Sequence, residues 1–218
     1  MRQLSFAHEQ ALERLGRQVR EFVAAAGSMS DLEMLGPSRC HGWSRLDVVV
    51  HVRMGLQEMA LGTTARSGEE PDHDAASYWA AHPDDRDHDP VPHILWLRRT
   101  AAAYSRPTAA VTHLREVADA AVRAVQTMPV GTVAFQGKHL RSGDFLATWV
   151  VELAVHQLDL DVTEDGSSGL AWTRATLEAI AEAELPAALE DRMAVLVGLG
   201  RQQPPPWAQS GPAFPVSL

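Results

Sequence analysis

The sequence predicts an all-α protein: a four-helix bundle with a long crossover loop, a short β-hairpin and a C-terminal helical extension. Two observations lead to this fold class. Apolar residues recur at the three-to-four-residue spacing of amphipathic helices along most of the 218 residues. The stretches between them are rich in Gly, Pro and Asp, which favour turns and loops. Short connections with one long crossover are typical of helix bundles.

The first two bundle helices are predicted at residues 4–26 and from Ser44 to about residue 61. The first is indicated by a regular apolar stripe. In the second, Ser44 is a suitable N-terminal cap and Asp47 places an acid in the first turn. Residues 67–92, rich in Asp, His, Pro and Gly, are predicted to form a long surface loop.

The second half of the chain supplies the other two bundle helices. Residues 94–128 are helical in pattern but must kink or restart at Pro107. Residues 130–140 contain two glycines and several β-branched residues, which indicates a short hairpin. Ser142 is predicted to cap a fourth helix that runs to about residue 162, with residues 166–169 ending it.

The chain is predicted to form one compact domain in two parts. Residues 1–165 are the helical bundle, and residues 166–218 are a C-terminal helical extension with a proline-rich tail packed on the same domain. The extension is expected to contain one helical segment over residues 173–197, which includes Pro186, followed by an extended tail.

Composition excludes several classes of function. The formal net charge of -9 argues against sequence-independent binding to nucleic acid or to anionic membranes. Charged residues near the N-terminus do not fit a signal peptide, and no apolar run is long enough to cross a bilayer, so a cytoplasmic protein is expected. Cys40 is the only cysteine, which excludes an internal disulfide and a thiolate zinc cluster. Any metal must therefore be bound through His and carboxylate groups.

The fourth predicted helix carries an unusual pair of ionisable residues. Over residues 145–158 it reads FLATWVVELAVHQL, apolar nearly all round, and its only ionisable side chains there are Glu152 and His156. Their spacing of four places them on one face of the helix, and Asp159 continues that face. A buried carboxylate costs several kcal/mol unless it is compensated. A bound cation would compensate it.

The second helix repeats this pattern around His51, which lies in the apolar run DVVVHV. Asp47 lies one turn before it and Glu58 two turns after it, while Gly55 would leave room beside His51 for an ion or a ligand. Facing helices of a bundle core build metal sites in this way. From spacing alone, satisfied core histidines and a simple buried hydrogen-bonded pair on the fourth helix remain alternatives.

Two segments resemble the signatures of one family. HGWSRLDVVVHV and VVELAVHQLDLD resemble the two histidine-containing motifs of the mycothiol-dependent maleylpyruvate isomerase metal-binding domain, a family of the DinB-like superfamily. LVGLGRQQPPP resembles the Gly-Arg and proline ending that is common there. The resemblance implies a DinB-like bundle in which His51, Glu152 and His156 bind a divalent metal, usually zinc. It also implies mycothiol, a low-molecular-weight thiol, as co-substrate.

The implied activity is a thiol-dependent isomerase or S-transferase. Three protein ligands leave a coordination position open, as in catalytic zinc sites, and a thiol bound to Zn²⁺ is deprotonated to the nucleophilic thiolate. The thiolate would act on a small electrophile. The alternatives are a metal-dependent hydrolase that activates water and a non-enzymatic metal-binding protein. A monomer or a homodimer is expected. About fifty residues follow residue 165, too few for the family's C-terminal domain, so a substrate other than maleylpyruvate fits as well.

Other residues receive lesser roles. Asp159 is expected to fix the tautomer of His156, and Trp43 to line the pocket, as Trp149 could. Asp47 is expected mainly to cap its helix, Glu58 to be an exposed acid, and Cys40 to be a buried structural thiol. Four histidines among the acids of the long loop suggest a solvated, mobile flap rather than a second metal cluster; they are His73, His82, His88 and His93.

Overall fold

The computed structural model describes residues 1–81, 89–162, 167–208, 211 and 213–218. Within these residues the secondary structure, in chain order, is α1 (His8–Gly27), α2 (Asp31–Met34), α3 (Arg45–Gly62), β1 (Arg66–Ser67), α4 (Ala75–Ala80), α5 (Val91–Ala101), α6 (Pro107–Gln126), β2 (Thr132–Phe135), β3 (Lys138–Arg141), α7 (Ser142–Leu160), α8 (Leu170–Ala181) and α9 (Asp191–Gly198).

Helices α1, α3, α6 and α7 form the predicted four-helix bundle. Helix α1 packs against α6 and α7, and α3 packs against the same two helices. Helix α7 is the most deeply buried, because every one of its residues except Glu152 is buried. This burial explains its apolar sequence, since a helix surrounded by protein has no polar face.

The helix ends agree with the sequence at some positions and differ at others. Ser44 and Asp47 form a reciprocal capping box at the start of α3, as expected for these residues. The prediction for Ser142 is wrong, because Ser142 is the first residue of α7 and its Oγ contacts Gly131 N and His8 Nδ1 instead of capping the helix. Helix α7 ends earlier than predicted, where Asp161 adopts a left-handed conformation with φ 53°.

Proline placement divides the predicted third helix into α5 and α6. Pro107 is the first residue of α6, where its missing N–H would have no helical partner. Arg106 before it is extended, as the residue preceding a proline prefers. In the C-terminal extension the single predicted segment is likewise two helices, α8 and α9, separated by residues that include Pro186.

The predicted hairpin is confirmed as β2 and β3, which pair antiparallel with Thr132 opposite Arg141. Gln136 and Gly137 form its turn with φ of 49° and 73°, the left-handed values that tight hairpin turns require. A third strand, β1, pairs with β2. The long-loop prediction is therefore wrong in part: residues 67–92 include the end of β1, helix α4 and the start of α5.

The C-terminal extension packs beside the bundle through α8, which contacts α7 and α4. A second cluster of buried apolar side chains lies here, centred on Leu177, Leu196 and neighbouring residues of α8 and α9. The predicted boundary at residue 165 lies outside the described residues. Among the described helices, none combines the length and the apolar character that a membrane crossing requires.

Candidate metal centre

The structure brings His51, Glu152 and His156 together between α3 and α7. Oε1 of Glu152 accepts a hydrogen bond from His51 Nε2 at 2.9 Å and lies 3.2 Å from His156 Nε2, within ion-pair distance. The potential ligand atoms of the three residues all lie within 4.8 Å of one another. Glu152 and His156 are one turn apart on α7, and the packing of α3 against α7 supplies His51.

Gly55 allows the two helices to come close, although not in the way the sequence suggested. It lies one turn after His51 on α3, and a Cβ atom at this position would lie 3.0 Å from Cζ3 of Trp149. The room beside Gly55 is thus taken by the Trp149 indole, which also packs against Phe135 at 5.9 Å between ring centroids. Trp149 is therefore a packing residue of the α3–α7 interface.

The three residues form a strongly coupled electrostatic group. Burial alone would raise the pKa of Glu152, but the imidazoles of His156 and His51 outweigh it and hold the pKa below its ordinary value. Burial alone would lower the pKa of His156, yet the carboxylates of Glu152 and Asp159 hold it well above its ordinary value. The group therefore stabilises positive charge at the ring of His156.

Asp159 lies in contact with His156. Its Oδ2 accepts a hydrogen bond from His156 Nδ1 at 3.1 Å, on the side of the ring opposite Glu152. The carboxylate is fully buried. Burial would raise the pKa of Asp159, but the hydrogen bond from His156 and the charges of His156 and Arg201 hold it below its ordinary value. An ionised carboxylate can only accept a hydrogen bond, so Asp159 favours the forms of His156 that carry a proton on Nδ1.

Trp43 lies over the two imidazoles. Its ring centroid is 5.0 Å from that of His51 and 6.2 Å from that of His156, with the latter pair nearly parallel at 16°. Helix α5 supports it: Arg98 donates a 2.6 Å hydrogen bond to the carbonyl of Gly42, and His93 lies 5.9 Å from the Trp43 ring. Trp43 thus forms a wall of the site.

Two further residues, Cys40 and Arg201, also contact the site, although their spacing along the chain did not indicate this. Cys40 is buried, as expected, but its thiol is 3.0 Å from Asp159 Oδ2 and 4.0 Å from His156 Nδ1. Arg201 donates from Nε to Asp159 Oδ1 at 3.1 Å. They lie 119 and 42 residues from Asp159 along the chain, so the spacing of a helix face could not have predicted these contacts. Burial raises the pKa of the Cys40 thiol above its ordinary value, which disfavours the thiolate.

The remaining candidates lie away from the three central residues. Asp47 accepts hydrogen bonds from Ser44, so capping is the role that the structure gives it. Glu58 is exposed, as expected, and accepts a hydrogen bond from Gln136 at 3.0 Å.

The loop histidines do not form a common cluster among the described residues. His73 pairs with the adjacent Asp72 at 2.7 Å. His93 belongs to α5 rather than to a loop, which corrects the predicted flap at that residue. His82 and His88 lie outside the described residues.

The donor set fits a divalent ion. Two imidazole nitrogens and a carboxylate oxygen are common zinc ligands, and ligands of a tetrahedral site with bonds near 2.1 Å are separated by about 3.4 Å. The separations of 2.9 and 3.2 Å from Glu152 Oε1 to the two imidazole nitrogens are somewhat shorter than that value, so a small outward movement of the ligands would accommodate an ion. The exposed fraction of the side chains is 28% for His51, 20% for Glu152 and 10% for His156, so the His51 side of the group is the part nearest solvent.

Comparisons with known proteins agree with this architecture. The profile of the mycothiol maleylpyruvate isomerase N-terminal domain family matches residues 12–161, the stretch that contains the three central residues. Among solved structures, a crystal structure of the mycothiol-dependent maleylpyruvate isomerase is similar, with a TM-score of 0.55 and 14% identity over 80% of this chain and 69% of that chain. A variant of that enzyme with one histidine replaced by alanine gives a TM-score of 0.57 and 15% identity over the same shares.

At these identities the similarity to solved structures concerns the fold. A search of curated protein sequences finds no match. The family profile, in contrast, covers more than half of the chain and extends from within α1 to the end of α7, the last of the four bundle helices. The chain belongs to the mycothiol maleylpyruvate isomerase N-terminal domain family.

Proposed function

We propose that this protein is a cytoplasmic, divalent-metal-dependent enzyme that activates mycothiol for cis–trans isomerisation or S-transfer on a small electrophile. The observation that carries the proposal is the cluster of His51, Glu152 and His156, which offers three ligand atoms within 4.8 Å of one another at an accessible edge of the bundle. Zn²⁺ is the proposed ion, and the family supplies mycothiol as the proposed thiol.

The protein residues would prepare the site in three ways. His51, Glu152 and His156 would hold the ion, and Glu152 would contribute one negative charge. Asp159 would keep the Nδ1 proton of His156 in place, so that Nε2 would be the nitrogen that gives up its proton and binds the ion. Trp43 covers the imidazoles and limits the access of water. When bound, the ion would lower the pKa of a coordinated thiol so that it is held as the thiolate.

The two reactions share their first step and differ in the last. The thiolate sulfur adds to one carbon of a conjugated double bond, forming a C–S bond and moving an electron pair into the conjugated carbonyl. In isomerisation the new C–C single bond rotates, the C–S bond breaks and the thiolate is regenerated. In S-transfer the adduct instead takes up a proton and leaves. Neither route needs an oxidant or a reductant.

Calorimetric titration of mycothiol into zinc-loaded protein tests the proposal. Measurements in buffers of different ionisation enthalpy should show about one proton released per thiol bound, because the thiol binds as thiolate. S-methyl mycothiol, which has no thiol proton, is the matched ligand and should bind at least tenfold more weakly.

His156→Ala should lose the response to mycothiol, while Glu116→Gln, on the exposed surface of α6, should retain it. Equal binding of mycothiol and its S-methyl derivative, or binding that persists without metal, would contradict thiol activation. Turnover of esters or amides by zinc-loaded protein without any thiol would instead indicate a hydrolase.

A further inference from the structure

Asp159 is a buried carboxylate that supports His156 and is itself held by residues from distant parts of the chain. Its Oδ2 accepts from His156 Nδ1 at 3.1 Å and from the Cys40 thiol at 3.0 Å. Its Oδ1 accepts from Arg201 Nε at 3.1 Å. Of the described lysine and arginine residues, Arg201 is the one within ion-pair distance of Asp159.

The end of α9 places Arg201 against Asp159. The N–H of Arg201 bonds to the carbonyl of Leu196 at 2.8 Å and the N–H of Gly200 bonds to that of Val197 at 3.0 Å, the pattern of a Schellman motif. Gly200 has φ 68°, a conformation that glycine adopts without strain. This turn reverses the chain after α9 and directs the Arg201 side chain back toward α7.

We infer that Arg201 is a positioning residue of the metal site and that the C-terminal extension completes this site. The inference rests on the proposed metal-binding role of His156. Arg201 lies outside the stretch that the family profile matches, residues 12–161, so it adds a support that the matched region does not contain. The Arg201 guanidinium also lies 3.6 Å from the Cys40 sulfur. It therefore contacts both Asp159 and Cys40, which are hydrogen-bonded to each other.

Arg201 acts on the orientation of the Asp159 carboxylate and, through it, of the His156 ring. A fully buried carboxylate is stable as an anion only when charge and hydrogen bonds compensate its lost hydration. Without Arg201, Oδ1 of Asp159 loses its ion-pair partner. The carboxylate is then expected to rotate away from His156, because another orientation can give Oδ1 a different hydrogen-bond donor. The His156 ring would then be free to rotate, and its Nε2 would no longer be directed at Glu152 and His51.

Titration with Co²⁺ tests this role without any enzymatic assay, because Co²⁺ replaces Zn²⁺ and its visible absorption reports ligand geometry. Arg201→Met should weaken Co²⁺ affinity by about tenfold, the lower end of the effect of losing an outer support of a metal ligand, and should alter the visible bands. Arg201→Lys, which restores the charge without the planar fork, should recover part of the affinity.

A double-mutant cycle separates positioning from general stability. If Arg201 acts through Asp159, then Asp159→Asn combined with Arg201→Met should weaken Co²⁺ binding no more than Asp159→Asn alone. The matched structural control is Arg174→Met. Arg174 donates hydrogen bonds to the carbonyls of Leu185, Pro186 and Leu189 within the same C-terminal extension. Its loss should lower thermal stability and leave the Co²⁺ spectrum unchanged.

The outcomes are distinct. Wild-type affinity and spectrum in Arg201→Met, additive effects in the cycle, or the same spectral change in Arg174→Met would overturn the role of Arg201 while leaving the metal site in place. A wild-type protein that binds no Co²⁺ would overturn the proposed function and this inference together. If Arg201→Met does not fold, as judged by circular dichroism, Arg201→Lys carries the same test with a smaller expected loss.

Discussion

Replacing Asp144 with asparagine is expected to stabilise the protein at neutral pH. Asp144 lies in the first turn of α7 and is buried, and its Oδ1 accepts a 2.8 Å hydrogen bond from the backbone N–H of Phe6. Burial, with a further contribution from the nearby Asp74 carboxylate, raises the pKa of Asp144 to about 6. Asparagine keeps the accepting oxygen but carries no charge, so the N-terminal segment would remain docked.

The magnitude follows from the shift in pKa. Because the folded pKa lies above the ordinary value of 3.8, the folded state disfavours the ionised form, and stability is lost as pH rises from about 4 to about 6. A shift of about 2 units corresponds to roughly 3 kcal/mol, which we reduce to about 1–2 kcal/mol because the neighbouring polar groups can relax. For a chain of this size that predicts a gain in Tm of about 3–6 °C.

Thermal melts of wild type and Asp144→Asn at about pH 4 and about pH 7.5 measure this effect. The gain should appear at the higher pH and shrink to a small fraction at the lower one, where the carboxyl group is protonated in the folded state and still partly protonated in the unfolded state. Asp119→Asn, an exposed change on α6, should alter Tm little at either pH. An equal gain at both pH values, or destabilisation at pH 7.5, would refute the argument.

Three further predictions concern the site. Asp159→Asn should weaken Zn²⁺ affinity about 10- to 100-fold, measured by competition with a chelating dye, because it loosens the orientation of His156; unchanged affinity would count against that role. Cys40 should react with iodoacetamide at least tenfold more slowly than free cysteine, because burial raises its pKa and shields it. A rate equal to that of free cysteine, followed by mass spectrometry, would contradict this. Gly55→Val should lower the free energy of unfolding by about 1–3 kcal/mol in urea, since its Cβ would lie 3.0 Å from Trp149; a more stable variant would show that the helices can separate freely.

The part of the site that lies on one helix was predictable from the sequence. Glu152, His156 and Asp159 share one face of α7 because helical spacing fixes their directions. Placing His51 opposite them required the packing of α3 on α7, which the apolar character of both helices suggested and the resemblance to a known family strengthened.

Cys40 and Arg201 could not be placed in this way. Each reaches Asp159 from an irregular segment, and their contacts depend on how the chain folds back between elements rather than on a local period. The Gly-Arg motif at residues 200–201 was visible in the sequence as part of the resemblance, but nothing in its composition indicated that it contacts α7.

Helix α4 was missed for a different reason. Its cap, Asp74, accepts hydrogen bonds from Ala76 N and Ser77 N. The backbone N–H of Asp74 in turn donates a hydrogen bond to Ser77 Oγ. This capping box lies within a stretch whose Asp, His and Pro content is typical of loops, and the helix that follows has only 6 residues. A segment so short gives no clear apolar period, and the composition around it dominated the prediction.

The metal content of the purified protein, measured by elemental mass spectrometry, tests the central claim most directly. Wild type and Glu116→Gln should each contain about one divalent ion per chain, and Glu152→Gln should contain close to none, because it loses the charged ligand that both imidazoles face. Equal metal in Glu152→Gln and wild type, or no metal in wild type after reconstitution with Zn²⁺, would contradict the account and leave His51, Glu152 and His156 as a buried hydrogen-bonded group.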